Sequence, residues 1–283
     1  MTDTLEVIDF QEGTAPRALT ESLHRIGFAL VANHPIDRAL IVGVQSEWDD
    51  FLAGPAKTKY PFTDRQDGYY PPEVSETAKG SKVRDLKEFF QYYPWGQYPA
   101  EVSDGARQLF AEGLALASTL LGWIEDNSPA HVRERYSMPL PDMLLRQTRT
   151  MLRILRYPPM ETDATEAVRA APHEDINLIT VLPSSAEAGL EILDPRKDQW
   201  IAAPAEVGTV VINSGDMLKL ASDGWFPSAT HRVTNPTGAA ARRSRVSTPL
   251  FVHPADDVPL AEGRPAFSFL AERIREIRGV QIA

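Results

Sequence analysis

The chain has 283 residues, 43% of them hydrophobic and 24% charged, with a formal net charge of −10 and no cysteine. These values fit a soluble globular protein with a full core. They exclude disulfides and cysteine-ligated metal centres, and they argue against a nucleic-acid partner, which would need a basic face. No apolar run approaches bilayer length, and Met1–Glu6 has no basic end leading into an apolar core. No membrane partner and no secretion are therefore expected, and a cytoplasmic protein is the default.

Leu5–Phe10 alternates apolar and polar residues and predicts a short strand. Ala15–Ile26 has Leu19, Leu23 and Ile26 at helical spacing and stops at Gly27; Phe28–Val31 then reads as a strand. Ile36–Phe51 predicts a second helix, with Leu40, Val44, Trp48 and Phe51 on one face. Thr63–Arg84 is rich in Gly, Pro and charge and lacks a period, so it is expected to be a long loop, a common form of active-site cover. Asp104–Glu125 carries the strongest helical stripe, from Ala106 to Ile124, and should pack outside a sheet.

The texture changes at residue 151. Strands are expected at Met151–Tyr157, Ile176–Leu182, Gly189–Leu193, Gln199–Ala202, Thr209–Asn213, Met217–Leu220, Thr230–Thr234 and Val246–Val252, separated by Pro, Gly, Asn and Asp turns. Phe267–Ile277 closes the chain as a helix. The pattern is α+β, mainly β: a sandwich or barrel flanked by helices. It reads as one domain, 1–283, with a helix-rich part (1–149), a β-core (150–255) and a C-terminal helix (256–283).

Ala171-Pro172-His173-Glu174-Asp175-Ile176-Asn177-Leu178 sets a histidine and an aspartate two apart at the mouth of an apolar run. Alternate residues of a strand share a face, so His173 and Asp175 are expected to reach one centre while Glu174 points away. His231, in Ser228-Ala229-Thr230-His231-Arg232-Val233, offers a third donor. Two imidazoles and one carboxylate with open positions suit a non-haem Fe(II) oxygenase. Arg245 and Ser247 share one strand face and can hold a carboxylate; Arg242-Arg243-Ser244 is a competing match. Arg153, Leu155 and Tyr157 share another face, and Arg153 needs a partner if buried, either a substrate carboxylate or a structural acid.

With Ile26-Gly27-Phe28, Asn33-His34-Pro35-Ile36 and Arg84-Asp85-Leu86-Lys87-Glu88 added, the chain resembles the isopenicillin N synthase-like Fe(II)/2-oxoglutarate-dependent dioxygenases over most of its length. That resemblance implies a double-stranded β-helix (jelly-roll) core. It implies Fe(II) on His173, Asp175 and His231, and 2-oxoglutarate on Arg245 and Ser247. Tyr157 then contacts either the cosubstrate or the substrate, and O2 is the oxidant. With Asp175 present, halogenation is not expected. The implied reaction consumes 2-oxoglutarate and O2 and hydroxylates, or else desaturates or cyclises, a small metabolite. An oxidase of the isopenicillin N synthase type, which uses O2 without 2-oxoglutarate, is the alternative reading; a non-catalytic metal or ligand sensor is a third.

Arg153, Tyr157 and Arg84 point to a small carboxylate-bearing substrate, and a monomer is expected. The remaining candidates receive ordinary roles. His34 belongs to a structural segment, and His24, His131 and His253 are expected to be surface or supporting groups. Trp200 and Trp225 should pack the core, Asp216 should cap a turn, and Glu174 should be a surface charge.

Overall fold

The β-branched runs pair into two facing sheets, and helices cover one of them from outside. The computed structural model describes residues 5–74, 85–160, 168–185, 188–261 and 263–278. In chain order the elements are β1 (Val7–Asp9), α1 (Ala15–Ile26), β2 (Phe28–Ala32), α2 (Arg38–Ala53), β3 (Gly68–Tyr70), β4 (Glu88–Tyr92), α3 (Gly105–Asn127), α4 (Ala130–Arg133), β5 (Met151–Tyr157), β6 (Ala170–His173), β7 (Ile179–Pro183), β8 (Leu190–Asp194), β9 (Gln199–Ala202), β10 (Thr209–Ser214), α5 (Asp216–Ala221), β11 (His231–Val233), β12 (Arg245–Ser247), β13 (Leu250–Val252), β14 (Pro259–Ala261), β15 (Arg264–Pro265) and α6 (Ala266–Arg278). Among the described residues no helix is long and apolar enough to cross a membrane.

The large sheet runs β1-β2-β10-β7-β13-β5-β4-β3, with β12 also paired to β5. The small sheet runs β6-β11-β8-β9. Period-two alternation gives the large sheet two different faces. Ala29, Val31, Leu152, Ile154, Val181, Val210, Ile212 and Leu250 join the main core with Leu19, Leu23, Trp48, Leu109, Leu116 and Leu120 of α1, α2 and α3. Phe28, Leu30 and Val211 face the other way, packing with Leu190, Ile192 and Val233 of the small sheet. The two sheets thus enclose an inner space, the double-stranded β-helix expected from the sequence.

Local signals set the helix limits. Gly27 ends α1 at φ 73°, donating its N–H to Leu23 O. A Cβ there would lie 2.8 Å from Ala229 Cβ, so both backbone and space require glycine. Asp37 caps α2 by accepting from Ala39 N at 2.8 Å, which starts the helix at Arg38 rather than Ile36.

Four sequence expectations are corrected. Met217–Leu220 belongs to the short helix α5, not to a strand; a four-residue apolar run fits either form, and here Met217, Leu218 and Ala221 are buried at helical spacing. His173 ends β6 but Asp175 lies beyond it, so the two are not alternate residues of one strand. Val246–Val252 is two strands, β12 and β13, interrupted at Thr248-Pro249. Thr63–Arg84 is not all loop, because Gly68–Tyr70 is the buried edge strand β3; residues 75–84, including Arg84, lie outside the described residues. Strands β4 and β6 were not anticipated.

The metal-binding stretch rests on the turn into α5. Gly215 N donates to Leu178 O at 3.0 Å, Asp216 N to Asp175 O at 2.8 Å and Met217 N to Asn177 O at 3.0 Å. A Cβ on Gly215 would meet Asn177 O at 2.3 Å and Asp175 O at 2.8 Å, both backbone atoms that cannot swing aside. Gly215→Ala is therefore expected to cost about 1–3 kcal/mol of stability as an overpacked site. It should also weaken metal binding by displacing residues 175–177. Thermal melts and metal titration of the variant would check both, and a wild-type metal affinity would contradict the coupling.

Candidate metal centre

His173 and His231 face each other because β6 and β11 pair antiparallel with those residues in register. Their ring centroids are 4.3 Å apart. Asp175 completes the group, and one ligand atom from each of the three residues lies within 4.8 Å of the others. His231 and Asp175 are buried, while His173 is open to solvent at the rim.

Hydrogen bonds decide which atoms are available. His173 Nδ1 lies 2.8 Å from Ala171 O, and His231 Nδ1 lies 2.9 Å from Ala229 O. A carbonyl only accepts, so each Nδ1 carries the proton and each Nε2 presents a lone pair. Asp175 Oδ2 accepts from Thr180 Oγ1 at 2.6 Å and from Asn213 Nδ2 at 2.8 Å, leaving Oδ1 to act as ligand. The donor set therefore fits a divalent first-row metal with two imidazole nitrogens and one carboxylate oxygen.

The electrostatics agree. Burial works to raise the Asp175 pKa, but the two imidazoles and the bonds from Thr180 and Asn213 outweigh it and hold the carboxyl below its ordinary value. Desolvation by the surrounding protein, then the neighbouring His231 and Lys87, lowers His173 to about 4. The rim exposure of that ring tempers the desolvation, yet the repulsion between adjacent imidazoles acts in the same direction. Both ligands are thus in their metal-binding protonation state at neutral pH.

Beside the triad, β12 pairs with β5 so that Arg245 opposes Tyr157 and Ser247 opposes Leu155. Arg245, Ser247 and Tyr157 are all buried. The Arg245 guanidinium lies 5.4 Å from the Tyr157 ring and donates from Nε to Ser185 Oγ at 3.2 Å. It ends a narrow cleft walled by Leu182, Leu190 and Val211. Arg242 instead donates to Met160 O, away from this wall. Arg153 faces the same space: its Nη2 donates to Gln91 Oε1 at 2.7 Å, and its guanidinium lies 4.6 Å from the Phe89 ring and 5.2 Å from Phe251.

Several residues of this wall escaped the sequence reading. Thr180 and Asn213 orient Asp175. Arg169, 1% exposed, lies 5.5 Å from the Tyr157 ring. Asp85 accepts Lys87 Nζ at 2.9 Å and Ala171 N at 3.2 Å, fastening β6 just before His173. Thr180, Asn213 and Arg169 each interrupt an otherwise apolar stretch, which was the available signal, whereas Asp85 lies in the charged segment Arg84-Asp85-Leu86-Lys87-Glu88.

Of the discounted residues, Glu174 is half-buried and accepts from Thr230 Oγ1, and Asp216 caps nothing but accepts from Arg273 at 3.2 Å, tying α6 to the turn below Asp175. Trp225 stacks on His24, and Trp200 lies under Arg232 rather than in the core. A surface cleft of about 400 Å³ lies between His24, His131, Arg135 and Trp225 and contains none of the triad. His253 is not a surface group: it is buried, and burial foremost, with Arg149 adding, lowers its pKa to about 4.

Between that value and the ordinary 6.5, the unfolded chain takes up a proton that folded His253 refuses, so stability rises with pH across the window. Metal-free protein is expected to lose melting temperature steadily as pH falls from about 6.5 to about 4, and less steeply in His253→Asn. Superimposable pH profiles of the two would contradict this assignment.

Comparison with known proteins gives the same picture. Residues 5–111 match the family profile of the N-terminal region of the non-haem dioxygenase in morphine synthesis, and residues 142–254 match the 2OG-Fe(II) oxygenase superfamily. The fold superposes on a protein from Shewanella oneidensis described as an oxygenase, at 42% identity and a TM-score of 0.88, covering 98% of this chain and 99% of that one. A 2OG-Fe(II) oxygenase family protein from Caulobacter crescentus is 30% identical at a TM-score of 0.81, covering 98% and 100%. A proline hydroxylase, buaE, from Petromyces alliaceus is 28% identical over 91% of this chain and 86% of its own length. With its triad geometry and these full-length relatives, the chain belongs to the 2OG-Fe(II) oxygenase superfamily and is an Fe(II)- and 2-oxoglutarate-using oxidoreductase.

Proposed function

We propose that this oxygenase acts as one catalytic domain, 1–283, that binds Fe(II) through His173, Asp175 and His231 and hydroxylates a small carboxylate-bearing metabolite. The observation that carries the ligand assignment is the hydrogen-bonding of the triad, which frees both Nε2 atoms and one carboxylate oxygen. A core that runs continuously from Ile8 to Leu270 supports the single domain. Bound iron with 2-oxoglutarate and O2 supplies the oxidising power, yielding succinate, CO2 and a hydroxylated C–H position.

The chain's residues do the positioning. Arg245 and Ser247 hold the distal carboxylate of 2-oxoglutarate at the end of the cleft walled by Leu182, Leu190 and Val211, and the Tyr157 hydroxyl closes that end. Arg169 adds positive potential behind Tyr157. Arg153, flanked by Phe89 and Phe251, holds the substrate carboxylate on the neighbouring strand face. Apolar walls exclude water and strengthen each of these charge-assisted bonds. The hydroxylase activity named for the similar proline hydroxylase supports hydroxylation as the outcome.

Two measurements test the reading. His231→Ala should bind iron poorly and release no succinate from 2-oxoglutarate, whereas Arg245→Gln should keep its iron but weaken 2-oxoglutarate binding by roughly 10–100-fold, as for loss of a charged hydrogen bond. O2 consumption with substrate but without succinate would instead favour the 2-oxoglutarate-independent oxidase. Separately, Arg153→Ala should raise the apparent KM for a carboxylate substrate by about tenfold or more. An unchanged KM would remove Arg153 from the substrate site.

A further inference from the structure

One proton beside Asp175 has its direction set by a residue outside the ligand set. Thr180 Oγ1 lies 2.6 Å from Asp175 Oδ2 and 2.7 Å from Asn177 Nδ2. A hydroxyl has one proton to give and can turn it to either side. A carboxylate only accepts and an amide N–H only donates, so the proton lies toward Asp175 while Asn177 fills a lone pair of the hydroxyl. The opposite placing of the amide would bring its carbonyl oxygen to the hydroxyl. One proton would then face two acceptor oxygens, and one of the two short contacts would have none. The two distances together fix a single direction, from Asn177 through Thr180 to Asp175.

Packing does not account for an amide at this position. Asn177 lies between β6 and β7 and is fully buried. Its Oδ1 finds no donor among the described residues and lies so close to Gly215 that a Cβ there would overlap it. A buried carbonyl oxygen without a donor lowers stability, and a leucine of similar volume would not carry that cost. What the amide adds is the bond to Thr180.

Thr180 is the member of the site that needs such a lock. Asp175 Oδ2 takes a second bond from Asn213 Nδ2 at 2.8 Å, and Asn213 is the register partner of Thr180 on β10. The N–H of an amide is held in the amide plane, whereas a hydroxyl proton turns about its C–O bond. Of the two groups that orient the carboxylate, only the hydroxyl can therefore swing its donor away. The Asn177 N–H removes that freedom, and bonds in series strengthen one another in a buried site.

We propose that Asn177 is a positioning residue of the metal centre: through the Thr180 hydroxyl it keeps Asp175 Oδ2 engaged and Oδ1 presented to the metal. The inference rests on the ligand set proposed above. Partners that orient a ligating carboxylate set metal affinity, so the bond from Asn177 contributes to Fe(II) binding although no atom of Asn177 is a ligand.

The test is a double-mutant cycle read by metal affinity. Fe(II) is titrated without oxygen into metal-free protein in competition with a chelating dye, and the melting temperature of each metal-free variant reports on its fold. Thr180→Val should bind Fe(II) about tenfold more weakly than the parent, and Thr180→Ser, which keeps the hydroxyl, should stay close to the parent. Asn177→Leu should weaken binding by about threefold, the share of a cooperative bond one step removed. In the Thr180→Val background Asn177→Leu should have no further effect, because the hydroxyl it acts through is gone. Asn177→Ala, which only removes atoms, serves the same comparison if Asn177→Leu does not fold. An Asn177 variant that binds Fe(II) as tightly as the parent or more tightly, the same loss from Asn177→Leu in both backgrounds, or a Thr180→Ser loss as large as that of Thr180→Val would overturn the proposal. A parent protein that binds no Fe(II), or one whose binding survives His231→Ala unchanged, would instead remove the ligand set itself, and this inference with it.

Discussion

A carboxylate buried beside two imidazoles has to be held, or it would take up a proton or turn away. Asp175 is held at two levels. Its Oδ2 is occupied by Thr180 and Asn213, and its carbonyl by the Asp216 amide. Thr180 and Asn213 are register partners on β7 and β10, so the carboxylate is oriented by the pairing of two central strands. A one-residue slip of either strand would turn its side chain to the helical face. The metal centre and the hydrophobic core thus depend on the same strand pairing, and neither can form correctly alone.

The outer face of the same sheet fixes the place of Arg245. Glu88, 3% exposed, accepts from Tyr69 Oη at 2.6 Å and from Arg156 at 3.1 Å, and it is paired with Lys57 at 2.5 Å. Arg156 continues to Asp49 of α2 at 2.7 Å, and Asp49 accepts from Ser244 Oγ at 2.5 Å. Ser244 directly precedes Arg245. A chain of partly buried polar contacts therefore runs from β4 through α2 to the residue just before β12. Buried networks of this kind specify geometry more than they add stability. Here the geometry specified is the placement of Arg245 opposite Tyr157.

How much of this could be read from the sequence depended on whether the signal was local. Helix α1 was legible to the residue, because Leu19, Leu23 and Ile26 keep one period and Gly27 stops it. His173, Asp175 and His231 were legible as a set through their residue types, although the strand argument that joined the first two was wrong: Asp175 reaches the centre because the turn at Gly215 anchors its loop. Met217–Leu220 failed because four apolar residues carry no usable period. Strands β3 and β4 were missed because Glu88, Gln91 and Lys87 make the segment look solvated. Their partners, Arg156, Arg153 and Asp85, are distant or bury the charge locally, and one-dimensional reading does not supply such pairings. His253 was discounted because its burial depends on packing that is not local in sequence.

The protein is acidic overall, yet Lys87, Arg169 and Arg245 lie buried, and Arg153 half-buried, beside the inner space. Net charge describes the outside of the molecule, whereas a ligand in a walled space feels the nearest fixed charges. The four are not equivalent. Lys87 is paired with Asp85 and serves the strand before His173. Arg169 and Arg245 both lie close to one ring, Tyr157, and so set two positive charges near it. Arg153 lies over Phe89 and Phe251, whose faces favour a cation. The guanidiniums thus lie at two places along β5, opposite Tyr157 and at Arg153, on either side of Leu155 rather than in one broad positive patch. Under the proposed function, a cosubstrate with a distal carboxylate and a substrate with its own would each meet a different guanidinium, and the spacing of the arginines along β5 and β12 would sort the two acids by position.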